Sequence, residues 1–245
     1  MFESGTLPPD NNRCRVGAII VAAGESQRMV GIDKVFAPML GRPLLAHTIA
    51  PFEECDLIDE VVLVLTPKKI SEGMALKEKE GWEKISSICP GGNRRQDSVL
   101  AGLERLSSCR WVIIHDGARP CLDTNIINAG LEAVEATGAA VPAMPATDTI
   151  KIVSSNGLVE STPGRDSLWL VQTPQVFLYD ILLTAHRSTK KYFTDDAALV
   201  ESVGCPVKIF PGLAQNIKVT TPHDLVIATH YLNQLASTVS SASGK

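Results

Sequence analysis

Nothing in this sequence is long and apolar enough to cross a bilayer, since no hydrophobic run approaches the roughly 18 residues required. An excess of positive charge is also missing. Lysine and arginine total 23 against 27 aspartates and glutamates, a formal net charge of -4. Such a chain has no global attraction to nucleic acid or to an anionic membrane surface, so any anion site must be local. The six cysteines, Cys14, Cys55, Cys89, Cys109, Cys121 and Cys205, form no CxxC pair and lie near no histidine at zinc-ligand spacing. They read as free thiols in a reducing compartment. GxxxxGK[ST] is absent, which removes a Walker loop, and so is GxGxxG, which removes the dinucleotide fingerprint. His47, His115, His186, His223 and His230 build no Ser/His/Asp or metal constellation that spacing can show. Residues 1–15 mix acids, Asn, Pro and Gly without an apolar stretch, so neither a secretory signal nor a transit peptide is expected. The expected location is the cytoplasm.

What is present is an alternation of short apolar runs with amphipathic stretches. Val16–Ala22 is a run rich in β-branched residues and reads as a buried parallel strand. Val61–Thr66, Ile85–Cys89, Trp111–His115 and Ala139–Ala143 repeat the pattern. Helices are expected at Pro43–Glu54, with Pro43 at the first helical position, and within the polar stretch Pro67–Gly81. Two more are expected at Val99–Leu106, behind the candidate caps Asp97 and Ser98, and from the cap Asp123 to Ala136. Strands alternating with helices across short loops predict an α/β fold, a Rossmann-like doubly wound and mostly parallel sheet.

The pattern then changes. Residues 149–162 alternate with period two around Asn156-Gly157, a strong hairpin signal, and predict an inserted β-hairpin arm. Beyond it, Leu168–Gln172 reads as a strand, Pro174–Arg187 as mostly helix, Thr194–Val203 as a helix capped by Thr194, and Val207–Pro211 as a strand. Thr221, Pro222 and Asp224 open a last helix to about Leu235. The organisation expected is a flexible tail over 1–14, one domain over 15–235 with its arm at about 146–167, and a disordered tail over 236–245.

Ligands of such sheets bind outside the C-terminal strand ends. Ala22-Ala23-Gly24 falls there, in a small-residue loop that carries Arg28 and Lys34. Small side chains let backbone N–H groups approach phosphate oxygens, and the cations add charge. Gly91-Gly92, ahead of Asn93 and Ser98, permits close approach of a base or ribose. Asp116 follows an apolar strand directly and reads as a divalent-metal or ribose contact, or as a turn residue. Arg119 reads as a phosphate clamp or as a structural partner of Asp116. Lys218, Arg165 and Thr149 are weak signals by themselves.

Five motifs together carry a resemblance. They are Ala22-Ala23-Gly24 with Arg28-Met29 and Lys34; Gly91-Gly92-x-x-Arg95-x-Asp97-Ser98-Val99; His115-Asp116-x-Ala118-Arg119-Pro120; Thr173-Pro174-Gln175; and Asn216-Ile217-Lys218-Val219-Thr220. In order, from about Val16 to Leu232, the chain resembles the 2-C-methyl-D-erythritol 4-phosphate cytidylyltransferases of non-mevalonate isoprenoid synthesis. The resemblance implies that Ala22, Ala23 and Gly24 present backbone to the CTP phosphates while Arg28 and Lys34 stabilise the reacting α-phosphate. It implies that Gly92, Asn93 and Ser98 recognise cytosine, with Asp116 and Gly117 at the ribose and Mg²⁺ (or another divalent cation). It further implies that Arg165 and Lys218 position the methylerythritol phosphate, that Thr149 and Thr173 add hydroxyls, and that the arm crosses to a second subunit of a homodimer. This chain departs from common members in having Ser26 and Gln27 in the loop, one residue fewer between Met29 and Lys34, Asp33 in place of a proline, and Gly117 in place of alanine or valine. Alternatives on the same motifs are a cytidylyltransferase for another polyol phosphate, such as ribitol 5-phosphate, and a nucleotide-binding module without turnover.

Overall fold

The structure, a computed structural model, describes residues 15–24 and 33–242, the side chains of 236–242 excepted. Arg28 and the segment 1–14 read as a tail lie outside the described residues. In chain order the elements are β1 (Val16–Ala22), the short pair β2 (Pro38–Met39) and β3 (Arg42–Pro43), α1 (Leu44–Glu54), β4 (Glu60–Leu65), α2 (Ile70–Glu80), β5 (Ile85–Pro90), α3 (Arg95–Leu103), β6 (Trp111–Asp116), α4 (Thr124–Val134) and β7 (Ala139–Pro145). There follow β8 (Ile152–Val153), β9 (Val159–Ser161), β10 (Trp169–Val171), β11 (Gln175–Leu178), α5 (Tyr179–Ser188), α6 (Asp196–Glu201), β12 (Lys208–Pro211) and α7 (Pro222–Ala242).

β5, β4, β1 and β6 lie side by side in parallel, and β11 pairs antiparallel with both β6 and β7. β10 continues along the same edge of β7 as β11, and β12 runs parallel along the other. β1, residues 61–65 of β4 and residues 111–114 of β6 are apolar because both faces are covered there. Ile20, Leu63 and Ile113 pack with Leu45, Ile49 and Phe52 of α1 and with Ile126 and Ile127 of α4. Their neighbours Ile19, Val62, Val64, Val112 and Ile114 pack on the opposite face with Val99, Leu103, Leu182 and Leu199 of α3, α5 and α6. The doubly wound, mostly parallel sheet is therefore present as expected.

Several local expectations give way. Pro174–Arg187 is mostly helix as expected, but it opens with a buried antiparallel strand, Gln175–Leu178, before α5 begins at Tyr179. Val176 enters one core cluster and Phe177 the other, the period-two division of a strand. Four residues are too few for a pattern to separate strand from helix, and only the slot between β6 and β7 decides it. α3 begins at Arg95 rather than Val99. Asp97, in its first turn, accepts the N–H of Arg94 at 3.1 Å. α6 is capped by Asp195, which accepts the N–H of Ala198 at 2.9 Å, and not by Thr194. Pro43 is the residue before α1 rather than its first. α7 runs on to Ala242, through residues read as a disordered tail, since no glycine or proline interrupts it before Gly244.

Between β7 and β10 the chain makes an excursion. Ala146 donates its N–H to Leu168 O at 2.9 Å, Pro145 faces Trp169, and β8 and β9 pair beyond that point around Gly157 at φ +82°. Ile152, Val153, Leu158 and Val159 are all exposed there, as are Trp169, Leu170 and Val171 of β10.

His115 ties the core to the strand ends. It is fully buried on β6, its ring 5.2 Å from that of Phe52. Nε2 faces the carbonyl of Arg119 at 3.2 Å and Nδ1 faces the hydroxyl of Thr173 at 3.0 Å. A carbonyl can only accept, so Nε2 carries the ring proton, and Nδ1 accepts from Thr173. That hydroxyl in turn accepts the N–H of Asp116 at 3.1 Å. Burial pushes the imidazole down from 6.5 to about 4, against the opposing pull of the Arg119 carbonyl. The unfolded chain therefore binds the proton more readily, and stability falls as pH drops from about 6.5 toward 4. Urea unfolding at pH 7.5 and pH 5.0 is expected to show a loss of about 2 kcal/mol from this group, and equal stabilities would refute it. Phe177→Ala is expected to cost about 3–5 kcal/mol with an unchanged denaturant slope, and a loss below about 1 kcal/mol would contradict the central placement of β11.

Candidate active site

β1, β5 and β6 end at one edge of the sheet, at Ala22, Pro90 and Asp116. The loops that follow enclose a cavity of about 1040 Å³. Ala22, Ala23 and Gly24 form one wall, and Gly91, Gly92, Asn93 and Ser98 form another. A methyl group on Gly91 would stand 2.4 Å from the Ala23 side chain, and one on Gly92 2.4 Å from that of Asp97. The two walls therefore meet through backbone. Ser98 Oγ accepts the N–H of Gly92 at 3.2 Å and sits 3.2 Å from the carbonyl of Arg94, to which it donates. This hydroxyl holds the glycine turn in shape.

Asp33, Lys34 and Val35 bring the far end of the β1 loop back to the cavity, beside Thr66, Pro67, Lys68 and Lys69. Lys69 Nζ lies 3.7 Å from Asp33 and 5.0 Å from the centre of the Phe36 ring. The lysine thereby pins the segment that carries Lys34.

Asp116 is the electrostatic centre. Its Oδ1 lies 3.3 Å from Arg95 Nε, and its Oδ2 lies 2.8 Å from Lys218 Nζ and 3.7 Å from Arg119 Nε. Burial alone would raise its pKa, but Arg95, Lys218 and Arg119 overcome that and hold the carboxyl far below its usual range. Lys218 reaches it because the N–H of Val219 donates to Ala118 O at 2.8 Å, docking the 216–220 segment on the end of β6. Arg119 Nη1 donates to Asn216 O at 2.6 Å, and Asn216 Nδ2 donates to Thr173 O at 2.7 Å. The other end of the Arg95 guanidinium is held by Asp196 at 2.5 Å.

Of the residues singled out from sequence, Ala22, Ala23, Gly24, Lys34, Gly92, Asn93, Ser98, Asp116 and Lys218 all line this cavity. Thr149 and Arg165 do not. Both are exposed on the arm, where Arg165 Nη1 donates to Thr147 O at 2.8 Å. Thr173 is buried and its hydroxyl is committed to His115 and Asp116, so it braces the site from behind rather than offering a hydroxyl to a substrate. Gly117 is likewise a packing residue. It donates its N–H to Val21 O at 2.8 Å, its carbonyl accepts Thr48 Oγ1 at 3.1 Å, and a Cβ there would meet that of Ala22 at 2.6 Å. The reading of Asp116 as a metal ligand does not fit, because both carboxylate oxygens are taken by cations. Among the described residues no group of three or more His, Cys, Asp or Glu side chains could hold a metal ion. What the sequence reading missed is Arg95 as a bridge and Asp196 behind it, partners 101 residues apart with no local signal to join them.

Comparison with known proteins identifies the family. The family profile of 2-C-methyl-D-erythritol 4-phosphate cytidylyltransferase matches residues 16–234. A protein of that name from Dehalococcoides mccartyi (strain CBDB1) is 49% identical over 214 residues, covering 87% of this chain and 94% of its own length. Another from Pelotomaculum thermopropionicum is 42% identical over 236 residues, covering 94% of this chain and 99% of its own. The crystal structure of 4-diphosphocytidyl-2C-methyl-D-erythritol synthase from Anaerococcus prevotii superimposes with a TM-score of 0.79 at 28% identity, covering 90% of this chain and 97% of that one. The corresponding Thermus thermophilus structure gives 0.70 at 32% identity, covering 88% and 98%. This chain therefore belongs to the 2-C-methyl-D-erythritol 4-phosphate cytidylyltransferase family.

Proposed function

We propose that this protein transfers a cytidylyl group from CTP to 2-C-methyl-D-erythritol 4-phosphate, giving 4-diphosphocytidyl-2-C-methyl-D-erythritol and pyrophosphate for isoprenoid precursor synthesis. The observation that carries this reading is the meeting, at one cavity of a chain of this family, of a small-residue loop, a glycine turn and a charged cluster ending in Lys218. An oxygen of the incoming phosphate attacks the α-phosphorus as the bond to pyrophosphate breaks. That oxygen is already anionic, so the site needs no general base. Its task is positioning and charge stabilisation.

The backbone at 22–24 and at Gly91-Gly92 can approach the nucleotide because no side chain intervenes. Lys34 stabilises charge on the α-phosphate, and we assign Arg28 the same role from its motif. Lys218 faces the incoming phosphate, and Arg119 holds its segment through the carbonyl of Asn216. A divalent cation, Mg²⁺ or another, would enter with the nucleotide rather than on protein ligands, and would supply positive charge to the triphosphate. The engagement of Asp116 with three cations supports a metal held by substrate rather than by a protein cage.

We further assign a homodimer in which the arm brings Thr149 and Arg165 to a partner's cavity. The exposed apolar side chains of β8, β9 and β10 support it, since apolar side chains left exposed along an inserted arm are suited to covering by a partner. We place the protein in the cytoplasm, supported by its free cysteines. No helix among the described residues is long and apolar enough to cross a membrane.

Pyrophosphate release with CTP and Mg²⁺ is expected with methylerythritol 4-phosphate and not with ribitol 5-phosphate; the reverse preference would overturn the assignment. Lys34→Ala or Arg28→Ala is expected to lower kcat by roughly 10²–10³, about 3–4 kcal/mol. Lys218→Ala is expected mainly to raise the KM for the alcohol phosphate, and an unchanged value would remove Lys218 from that role. The double variant Ile152→Glu with Leu158→Glu should run as a monomer in light scattering and lose activity while keeping its Tm. A variant that stays dimeric would place the interface elsewhere.

A further inference from the structure

Asp196 takes no part in the chemistry described so far, yet its carboxylate is fully buried and completely engaged. It begins α6, on the side of the sheet away from α1 and α4. Oδ2 accepts Arg95 Nη1 at 2.5 Å, and Oδ1 lies 3.1 Å from Nε2 of His186, which is itself buried at the end of α5. Arg95 thus bridges two carboxylates, with Nη1 on Asp196 and Nε on Asp116. A planar guanidinium can span two acids in fixed geometry, whereas an ammonium cannot.

The charge count explains why the second acid is needed. Arg95, Arg119 and Lys218 converge on the single carboxylate of Asp116. With Asp116 alone, the three would compete for two oxygens. Asp196 draws one end of Arg95 away, so Arg95 occupies only Oδ1 and leaves Oδ2 to Lys218 and Arg119. Of the two cations on Oδ2, Lys218 lines the cavity that an incoming phosphate would enter, and Arg119 supports the segment behind it through the carbonyl of Asn216. The line of contacts runs from His186 through Asp196, Arg95 and Asp116 to Lys218.

We propose that Asp196 is a positioning residue for the second substrate, fixing Arg95 so that Asp116 holds Lys218 as a preset cradle for the phosphate of the polyol. The inference rests on the proposed function, because it assigns Lys218 to the polyol phosphate.

The test is Asp196→Asn, which keeps the volume. The amide oxygen can still accept from Arg95, and its nitrogen can donate to a neutral His186. The KM for methylerythritol 4-phosphate is expected to rise about tenfold while the KM for CTP changes little, and the Tm falls because buried Arg95 loses one of its two carboxylates. In a Lys218→Ala background the same substitution should add less than about twofold, because both changes act on one cradle. A purely structural role predicts something else, namely less active protein with both KM values intact, or an effect that multiplies fully in the Lys218→Ala background. Either result overturns the inference. Should Asp196→Asn fail to fold, Arg95→Lys poses the same question, since a lysine reaches only one of the two acids. The same selective rise in KM supports the inference, and equal losses for both substrates reject it. Failure of the functional reading looks different, because wild-type protein would then release no pyrophosphate from CTP with methylerythritol 4-phosphate.

Discussion

A carboxylate buried at the end of a parallel strand must either lose its charge or be given cations, and at Asp116 three cations decide the matter. Each arrives from a different part of the fold. Arg95 comes from the first turn of α3, Arg119 from the turn after β6, and Lys218 from the segment docked beside that turn. Removing any of them would leave buried charge partly uncompensated, which is costly. The placement of Asp116 is equally constrained from behind, where its N–H is held by Thr173 and Thr173 by His115. Binding chemistry and core packing therefore share the same few side chains.

The opposite wall of the cavity works on another principle. It excludes side chains. Ala22, Ala23, Gly91 and Gly92 pack so closely that a single added methyl at either glycine would collide with a neighbour. Backbone groups are left facing the cavity, and a turn shaped by Ser98 holds them in place. Charge on one side and bare backbone on the other suit a ligand that is a polyanion at one end and a flat base at the other. Gly117 belongs to this economy of space. Its lack of a side chain lets the end of β6 lie against Ala22.

Where the sequence is periodic, it was sufficient. The apolar runs of β1, β4 and β6 and the amphipathic faces of α1 and α4 are local patterns, and burial on both sheet faces follows from them. The positions of the ligand loops followed as well, because parallel strands carry their loops to one edge. The capping acids were legible only as a type. Asp224 does accept the N–H groups of Thr220 and Thr221, but Asp195 rather than Thr194 caps α6, since either residue could have taken that role.

By itself, then, the sequence determined the sheet, the edge where chemistry happens and most of the residues gathered there: Ala22 to Gly24, Lys34, Gly92, Asn93, Ser98, Asp116 and Lys218. Only the tertiary structure decided which of these are held, and by what. It turned Gln175–Leu178 into a central strand, withdrew Thr173 and Gly117 from the cavity surface, and converted Asp116 from a candidate metal ligand into the anchor of three cations. It also joined Arg95 to Asp196 across 101 residues. The physical reason is one of range. Hydrophobic periodicity is written between near neighbours in the chain, whereas a buried charge is settled by whichever partners the fold brings within about 4 Å.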